Sequence, residues 1–408
     1  MAIKVAYIVA RFPSVSQTFI LREILELCNQ GFDITIFPLK SKPDKLTHND
    51  AKKVLNKVYS ISPFSIKVLM SQIYFFLTSP LKYFYLIYFV VKNNLRNPYA
   101  LTISLGLIPK SVHIALMIKR QKICHIHAHM ATFQASCALF ISVLTGVPFS
   151  FTAHATDIRG DQADRTHDGT NMLQEKLERA KFIVTCTDDN VIYLRNKHRD
   201  IAPEKIILNY HGIDTDKFSP KKCEEQPPLI LAVGRLLECK GFEYLIDACK
   251  ILREKNLSFK CMIVGDGPDK GILKKRIDNS DLGNIVELAG AKSQEELIEL
   301  YNKASLFVLP SISESHFGIP NTLFEAMSMT VPVIVSNLPA VKELIVSRDE
   351  GIVIPEKNVY ILVKEIEQLL RDSQLRKMIG KNARKKIIEN FSVKEKVKEL
   401  RYIFENKI

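Results

Sequence analysis

The chain has 408 residues, of which 47% are hydrophobic and 25% charged, and a formal net charge of +13. That length and apolar share are enough for two hydrophobic cores and exclude a single small domain, and internal repeats and low-complexity tracts are absent. Eight cysteines without C-x-x-C spacing, set in apolar segments such as "LELCNQ" and "LIDACK", argue against a disulfide framework and for a reducing cytosol.

The N-terminal "MAIKVAYIVARFP" has one lysine and an apolar run too short for an export signal, ended by Arg11 and Pro13, so it reads as a first buried strand. "SVSQTFILREILELCNQG" follows as an amphipathic helix, with Ser14 and Gln17 at capping-box spacing and Gly31 at the exit, and "FDITIFPL" is the next strand. Between Asp50 and Asp157 there is no acid at all, while Lys52, Lys53, Lys57, Lys67, Lys82, Lys92, Arg96, Lys110, Lys119, Arg120 and Lys122 supply eleven cations. Such a block attracts an anionic surface: acidic lipid, nucleic acid or a phosphorylated substrate. Inside it, "VLMSQIYFFLTSPLKYFYLIYFVV" is long enough to span a bilayer, but Ser71, Gln72, Thr78, Pro80 and Lys82 break it into two pieces of about a dozen residues. Two helices packed on a soluble domain are expected, with their aromatic, lysine-flanked face as a membrane-touching elaboration.

Strands "ICHIHAHM", "PFSFTAHA" and "KFIVTCT" come next, each followed by a helical stretch. The polar, proline-bounded "SPKKCEEQPP", residues 219 to 228, reads as a linker. After it the alternation restarts with "LILAVGRL", "FKCMIVGDG", "IVELAG", "LFVLPS" and "VPVIVS" as strands separated by helices, and then helices to the end. Regular alternation of this kind predicts two doubly wound parallel-sheet domains, with ligands at the carboxyl ends of the strands in an interdomain cleft.

Four places carry candidate chemistry. Arg235 and Lys240 flank a short loop that opens a helix, a setting for a diphosphate or equally for two solvated cations. Gly265 and Gly267 form a turn that lets backbone approach a ligand, without the pattern of a dinucleotide fingerprint or P-loop. The helix opened by Pro320 places Asn321, Thr322, Glu325 and Ser328 on one stripe, either facing solvent or presenting a carboxylate to ribose hydroxyls. His125, His127 and His129 share one face of a strand but have no carboxylate or cysteine on that face within the segment, which disfavours a metal; His154 ends the next strand, with Asp157 placed to fix its tautomer.

Taken together, "ARFPSVSQTFILREI", "HIHAHMA", "FSFTAHATDI", "YHGIDTDKF", "VGRLLECKGFEYLIDAC", "IVGDGP", "GIPNTLFEAM" and "VPVIVS" resemble, in order and over nearly the whole chain, the retaining glycosyltransferase family 4 of GT-B fold, in particular its colanic-acid and exopolysaccharide branch. The resemblance implies an N-terminal Rossmann-like acceptor domain over 1–218, a nucleotide-sugar domain over 219–390 and a C-terminal helix over 391–408 packing back towards the first. It implies that Arg235 and Lys240 grip the donor diphosphate, that Gly265, Gly267, Pro320, Asn321, Thr322 and Glu325 line the donor site with Glu325 on the ribose, and that His154 lies near the transferred sugar. No metal and no other cofactor is implied, because a basic pair neutralises the diphosphate. The implied partners are a nucleotide-sugar donor and a saccharide or lipid-diphosphate-linked acceptor, with no nucleic acid. The implied place is the cytoplasm, at the inner face of the membrane where the basic block attaches.

The sequence departs from the family at three points. The first glutamate of its Glu-x7-Glu pair is Phe317, the glycine usual after the helix is Thr330, and "SNLPAVKELI" lacks a small-Gly turn before Glu343. Glu314, three residues upstream of Phe317, is the carboxylate placed to take over the sugar contact in an active hexosyltransferase. A catalytically weak, donor-binding partner subunit is the alternative.

Overall fold

The computed structural model describes residues 2–14, 17–40, 49–159, 172–221, 226–313 and 318–408. The chain forms two units, Met1–His211 with Lys396–Ile408, and Gly212–Glu395.

In the first unit β1 (Lys4–Val9), β2 (Asp33–Pro38), β3 (His125–His129), β4 (Phe149–Ala153), β5 (Ile183–Thr185) and β6 (Ile206–Leu208) make one parallel sheet in the order β2-β1-β3-β4-β5-β6. Helices cover both faces, so strands such as β1, "KVAYIV", are apolar almost throughout instead of alternating. In the second unit β7 (Leu229–Val233), β8 (Lys260–Val264), β9 (Val286–Gly290), β10 (Ala304–Leu309), β11 (Val333–Ser336) and β12 (Ile352–Ile354) make a parallel sheet ordered β12-β11-β10-β7-β8-β9. Counted within the unit this is the 3-2-1-4-5-6 order of a dinucleotide-binding fold read from its far edge. Strand order reverses between β1 and β3 in one sheet and between β7 and β10 in the other, so each unit has its own crevice where connections leave in opposite directions.

The two doubly wound sheets expected from the alternation are therefore present, with local corrections. β6 and β12 are additional strands of three residues, too short to show a period, and β12 interrupts the tail expected to be helical to its end. The first helix runs over Thr18–Asn29 with Gln17 as N-cap and no side-chain cap bond. It begins too late for Ser14 to serve as its capping box. Gly31 does follow its end, at a φ of +95°.

The unit boundaries differ from those expected at 218 and 390. Ile213 donates its N–H to the Phe391 carbonyl at 2.9 Å, and the buried Phe218 accepts from Ser328 Oγ and Arg384 at 2.8 Å each. These contacts tie 212–218 and 391–395 to the second unit. From Lys396 onward the chain belongs to the first unit, where Phe404 packs against Phe32, His125, His127 and Phe182.

The broken apolar stretch forms helices Ile66–Thr78 and Pro80–Asn94, bent by 112° at Ser79. Pro80 opens the second helix at the position where a missing N–H costs nothing. Val68, Ser71 and Phe75 on one helix and Leu86, Phe89 and Val90 on the other are buried, and Ser71 Oγ meets His113 Nδ1 of the Pro98–Gln121 helix at 2.8 Å. That 24-residue helix is apolar and long enough to cross a membrane, and it is more than half buried.

Candidate active site

The second unit builds its site where β7 and β10 diverge. After β7 the chain turns through Gly234 and Arg235 into a short 3-10 turn, Glu238–Lys240, and then the helix Phe242–Glu254. Gly241 makes the turn possible: its φ is +65°, and a Cβ there would stand 2.0 Å from the Pro310 carbonyl oxygen, just beyond β10. The Ile312 N–H donates to the Cys239 carbonyl at 3.0 Å, pinning the two strand ends together. Arg235 is exposed and Lys240 half-buried at the helix start, where free N–H groups and the helix dipole also favour an anion. Loss of hydration lowers the pKa of Lys240, Cys239 opposes it, and the charge of Arg235 lowers it further. Two cations that raise each other's energy are stabilised together by one dianion.

Gly265 and Gly267 occupy the turn after β8, but the structure gives a different reason for them from ligand approach. A Cβ on Gly265 would lie 1.8 Å from the Gly234 oxygen and one on Gly267 2.3 Å from the Leu236 oxygen. The glycines let this turn nest against the Arg235 loop.

The helix over Asn321–Ser328 has Pro320 as its N-cap, and Glu325 and Ser328 of its polar stripe do not face solvent. Ser328 is fully buried and Glu325 is 5% exposed. Glu325 Oε2 accepts from the Tyr301 hydroxyl at 3.1 Å. Burial first and the carboxylate second push Tyr301 well above the usual phenol range, so it stays a donor. Asn321 and Thr322, half-buried, open the helix beside Pro320. Thr330, where the family has glycine, takes a φ of +58°, and its Oγ1 is buried without a hydrogen-bond partner among the described residues. Glu314 and Phe317 lie outside the described residues.

The first unit has a buried histidine cluster at its own strand reversal. His129 Nε2 meets Glu23 Oε1 at 2.9 Å, His129 Nδ1 meets His154 Nε2 at 3.3 Å, and His154 Nδ1 meets His211 Nε2 at 3.2 Å. Tyr7 donates its hydroxyl to Glu23 at 2.8 Å, and Phe19 stacks on His211 with ring centroids 4.4 Å apart. Burial alone would raise the pKa of Glu23; the charge and hydrogen bond of His129, with His127 and Tyr7, bring it down to about 2. Burial, with the neighbouring imidazoles, holds His154 well below the usual range, and burial takes His211 to about 3.

Two expectations about this cluster change. The carboxylate missing from the strand of three histidines is supplied by Glu23, from the helix after β1. Asp157 does not touch the His154 ring: its carboxylate accepts the backbone N–H groups of Ala131, His154 and Ala155 at 2.7, 2.8 and 2.8 Å, and so holds the turn in which Ala155 has a φ of +137°. The sets Glu23–His127–His129 and His154–Cys186–His211 each bring three ligating atoms within 4.8 Å. In the first set His127 is held by Ser150 and Thr152 at 2.8 and 2.9 Å and His129 Nε2 faces the Glu23 carboxylate at 2.9 Å, and in the second His154 Nδ1 faces His211 Nε2 at 3.2 Å. Hydrogen bonding accounts for the geometry. Both ring nitrogens of His154 are engaged within the row, so His211 is its outermost member. Glu23 and His211 stand in the quoted motifs "TFILREI" and "YHGIDTDKF", and the i, i+4 spacing of Glu23 from Phe19 was the one sequence signal for Glu23.

The helical pair of the first unit and the turn before it expose a broad apolar face, with Phe64 97%, Leu81 86% and Leu77 70% accessible. Lys67, Lys82, Lys92 and Arg96 are exposed beside it. Lys110 is an exception within the basic block: it is buried, donating to the Leu39 carbonyl at 2.7 Å, and loss of hydration lowers its pKa.

Comparison with known proteins adds an independent line. The profile of Glycosyltransferase Family 4 matches residues 16–217 and that of Glycosyl transferases group 1 matches residues 214–386. A glycosyltransferase named for colanic acid biosynthesis, WcaL of Escherichia coli K12, is 31% identical over 195 residues, 46% of this chain and 48% of its own, so the chain spans about half the length of that relative. The alpha-D-kanosaminyltransferase of Streptomyces kanamyceticus is 31% identical over 286 residues, 65% of this chain and 73% of its own. Among solved structures, HepE of Anabaena in complex with UDP-glucose superposes with a TM-score of 0.69 at 13% identity, covering 99% of each chain, which speaks for the fold alone.

Proposed function

This chain belongs to glycosyltransferase family 4, with the GT-B fold, and on that premise we propose that it is a retaining hexosyltransferase of surface or exopolysaccharide biosynthesis. It moves a sugar from a nucleoside-diphosphate donor, held by the second unit, to a saccharide or lipid-diphosphate-linked acceptor, held mainly by the first. The observation that carries the reading is the pair Arg235 and Lys240 at the strand reversal of the second sheet, beside a helix N-terminus, with a buried carboxylate, Glu325, on the helix that follows β10. That order suits a nucleotide laid across the carboxyl ends of β7 and β10, diphosphate on the cations and ribose towards Glu325. No metal is required where two cations neutralise the leaving diphosphate. The proton lost by the acceptor hydroxyl goes to the departing phosphate. His154 stands near the transferred sugar, and Glu314 supplies the sugar contact that Phe317 lacks.

The exposed apolar face and its lysines support docking on anionic lipid at the cytoplasmic face of the membrane, where a lipid-linked acceptor is found. Each well-placed cation contributes about 1 kcal/mol near such a surface and less as salt rises. Vesicles with acidic headgroups should therefore bind the protein better than neutral ones at low salt; equal partitioning would remove the membrane from the reading.

The function is tested by release of nucleoside diphosphate across a panel of nucleotide sugars, with and without lipid-linked acceptors and with chelator present. Turnover with one donor, insensitive to chelator, is expected. Nucleotide binding without turnover for any donor would favour a donor-binding partner subunit instead. Glu314→Gln should depress turnover and leave nucleoside-diphosphate affinity unchanged; wild-type turnover would return the sugar contact to another residue.

A further inference from the structure

With Glu23 ionised and His154 and His211 neutral, as burial favours, the row Glu23–His129–His154–His211 has only two self-consistent directions of hydrogen bonding, because each imidazole nitrogen either donates or accepts and a carboxylate only accepts. If His129 is neutral, its one N–H is on Nε2, given to Glu23. Its Nδ1 then accepts from His154 Nε2–H, His154 Nδ1 accepts from His211 Nε2–H, and His211 is left with an accepting Nδ1. If His129 is an imidazolium, every bond beyond it reverses: its Nδ1–H donates to His154 Nε2, His154 Nδ1–H donates to His211 Nε2, and His211 is left with an Nδ1–H donor. One proton at the buried end decides what the outer end offers.

The groups around the row decide where that proton sits. Tyr7 on β1 donates to Glu23; Arg22, on the same helix as Glu23, adds positive charge near His211; and His127 on β3 is held between hydroxyls. Asp157 after β4 is occupied by three backbone N–H groups, and Cys186 after β5 approaches the His154 carbonyl oxygen at 3.7 Å. His129 alone among the imidazoles of the row meets a carboxylate at hydrogen-bond distance, 2.9 Å away and itself buried. A carboxylate buried without an opposite charge is strongly disfavoured, and His129 is the group placed to compensate it.

We infer that Glu23 is a positioning residue which, by holding His129 as an imidazolium, fixes His154 and His211 as Nδ1–H tautomers and presents a hydrogen-bond donor at the outer end of the row. No group is transferred and no proton is consumed in the cycle. An N–H fixed in this way suits an oxygen that bears partial negative charge, such as a sugar hydroxyl or a phosphoryl oxygen. The assignment of tautomers stands by itself, while its effect on turnover rests on the transfer reaction proposed above.

The experiment is nitrogen-15 NMR of the full chain labelled at histidine, at neutral pH and without substrate. The expected spectrum has His129 as imidazolium and His154 and His211 protonated on Nδ1. Glu23→Gln, nearly the same shape and with its amide oxygen kept on His129 by the Tyr7 hydroxyl that donates to the same position, should abolish the imidazolium and move both outer rings to Nε2–H. It should also lower turnover at least tenfold and change its pH profile, with nucleoside-diphosphate affinity unchanged and Glu23→Asp partly restoring turnover. Neutral His129 in the wild type, identical tautomers in the two proteins, or stoichiometric metal in protein purified without chelator would each overturn the inference. Should Glu23→Gln fail to fold, the wild-type spectrum still decides the charge of His129, and His211→Gln still reads the tautomer of His154. If no donor supports turnover, the spectra judge the tautomers regardless. Reversed tautomers with unchanged turnover would refute the role in transfer.

Discussion

Both units place charge at the point where their sheet reverses, but they handle it in opposite ways. In the first unit a carboxylate and an imidazole are buried against each other, with a row of further rings behind them, and the charge is met within the protein. In the second unit an exposed Arg235 and a half-buried Lys240 stand at a helix start, and the charge of the first lowers the pKa of the second. A carboxylate and an imidazole buried against each other fix geometry, whereas two like charges near each other favour an anion. The first arrangement orients; the second binds.

The largest expected effect is on the second unit. Replacing both Arg235 and Lys240 by alanine removes two charge-assisted contacts worth roughly 1.5–3 kcal/mol each, so nucleoside-diphosphate affinity measured by calorimetry should fall more than a hundredfold. The fold of the first unit should not change. Retained affinity would deprive the comparison of its binding half.

Acid should separate the units next. Glu23 has a folded pKa of about 2 against an unfolded value of 4.5, so its stabilisation is complete above 4.5 and is lost as pH falls through 2; at neutral pH it amounts to roughly 3 kcal/mol. His125 and His211, each taken to about 3 by burial, act in the same direction earlier, losing stability as pH falls from 6.5 towards 3 because folded imidazoles resist the proton that unfolded ones accept. Hydrogen exchange at pH 7, 5 and 4 should show protection fading first around β1, β3 and β4 and later around β7 and β10. Simultaneous loss in both units would contradict the contrast.

A smaller test concerns backbone and not charge. Thr330 is β-branched at a φ of +58° with a buried, unpartnered hydroxyl, so Thr330→Gly should stabilise the second unit by about 1 kcal/mol. Urea unfolding would record the gain, with no change in the NMR of the histidine row. A destabilised variant would mean that the threonine methyl packs more usefully than its backbone is strained.

Much of this was legible before any coordinates. Uninterrupted apolar runs such as "LILAV" and "LFVL" are what a parallel strand buried on both faces requires, so ten strands and the two sheets followed from period and composition. β6 and β12 did not, since they take their strand character from the neighbour they pair with, whereas β5, equally short, stood inside the longer run "KFIVTCT". The cations at 235 and 240 announced themselves because a short turn between strand and helix is local chemistry.

What the sequence determined by itself, then, is whatever depends on neighbours along the chain: the alternation of strand and helix, the acid-free basic block, the break at Pro80, and the motifs that mark the family. What only the tertiary structure decided is whatever depends on neighbours across it. Glu23 meets His129 over a separation of 106 residues, Asp157 turns to backbone N–H groups instead of an imidazole, and Gly265 and Gly267 yield to carbonyls of another loop. Glu325 faces Tyr301 and not solvent. A residue's type limits which bonds it can make, but burial and the partner brought to it by the fold select one, because a polar group taken out of water must be satisfied by whatever stands beside it.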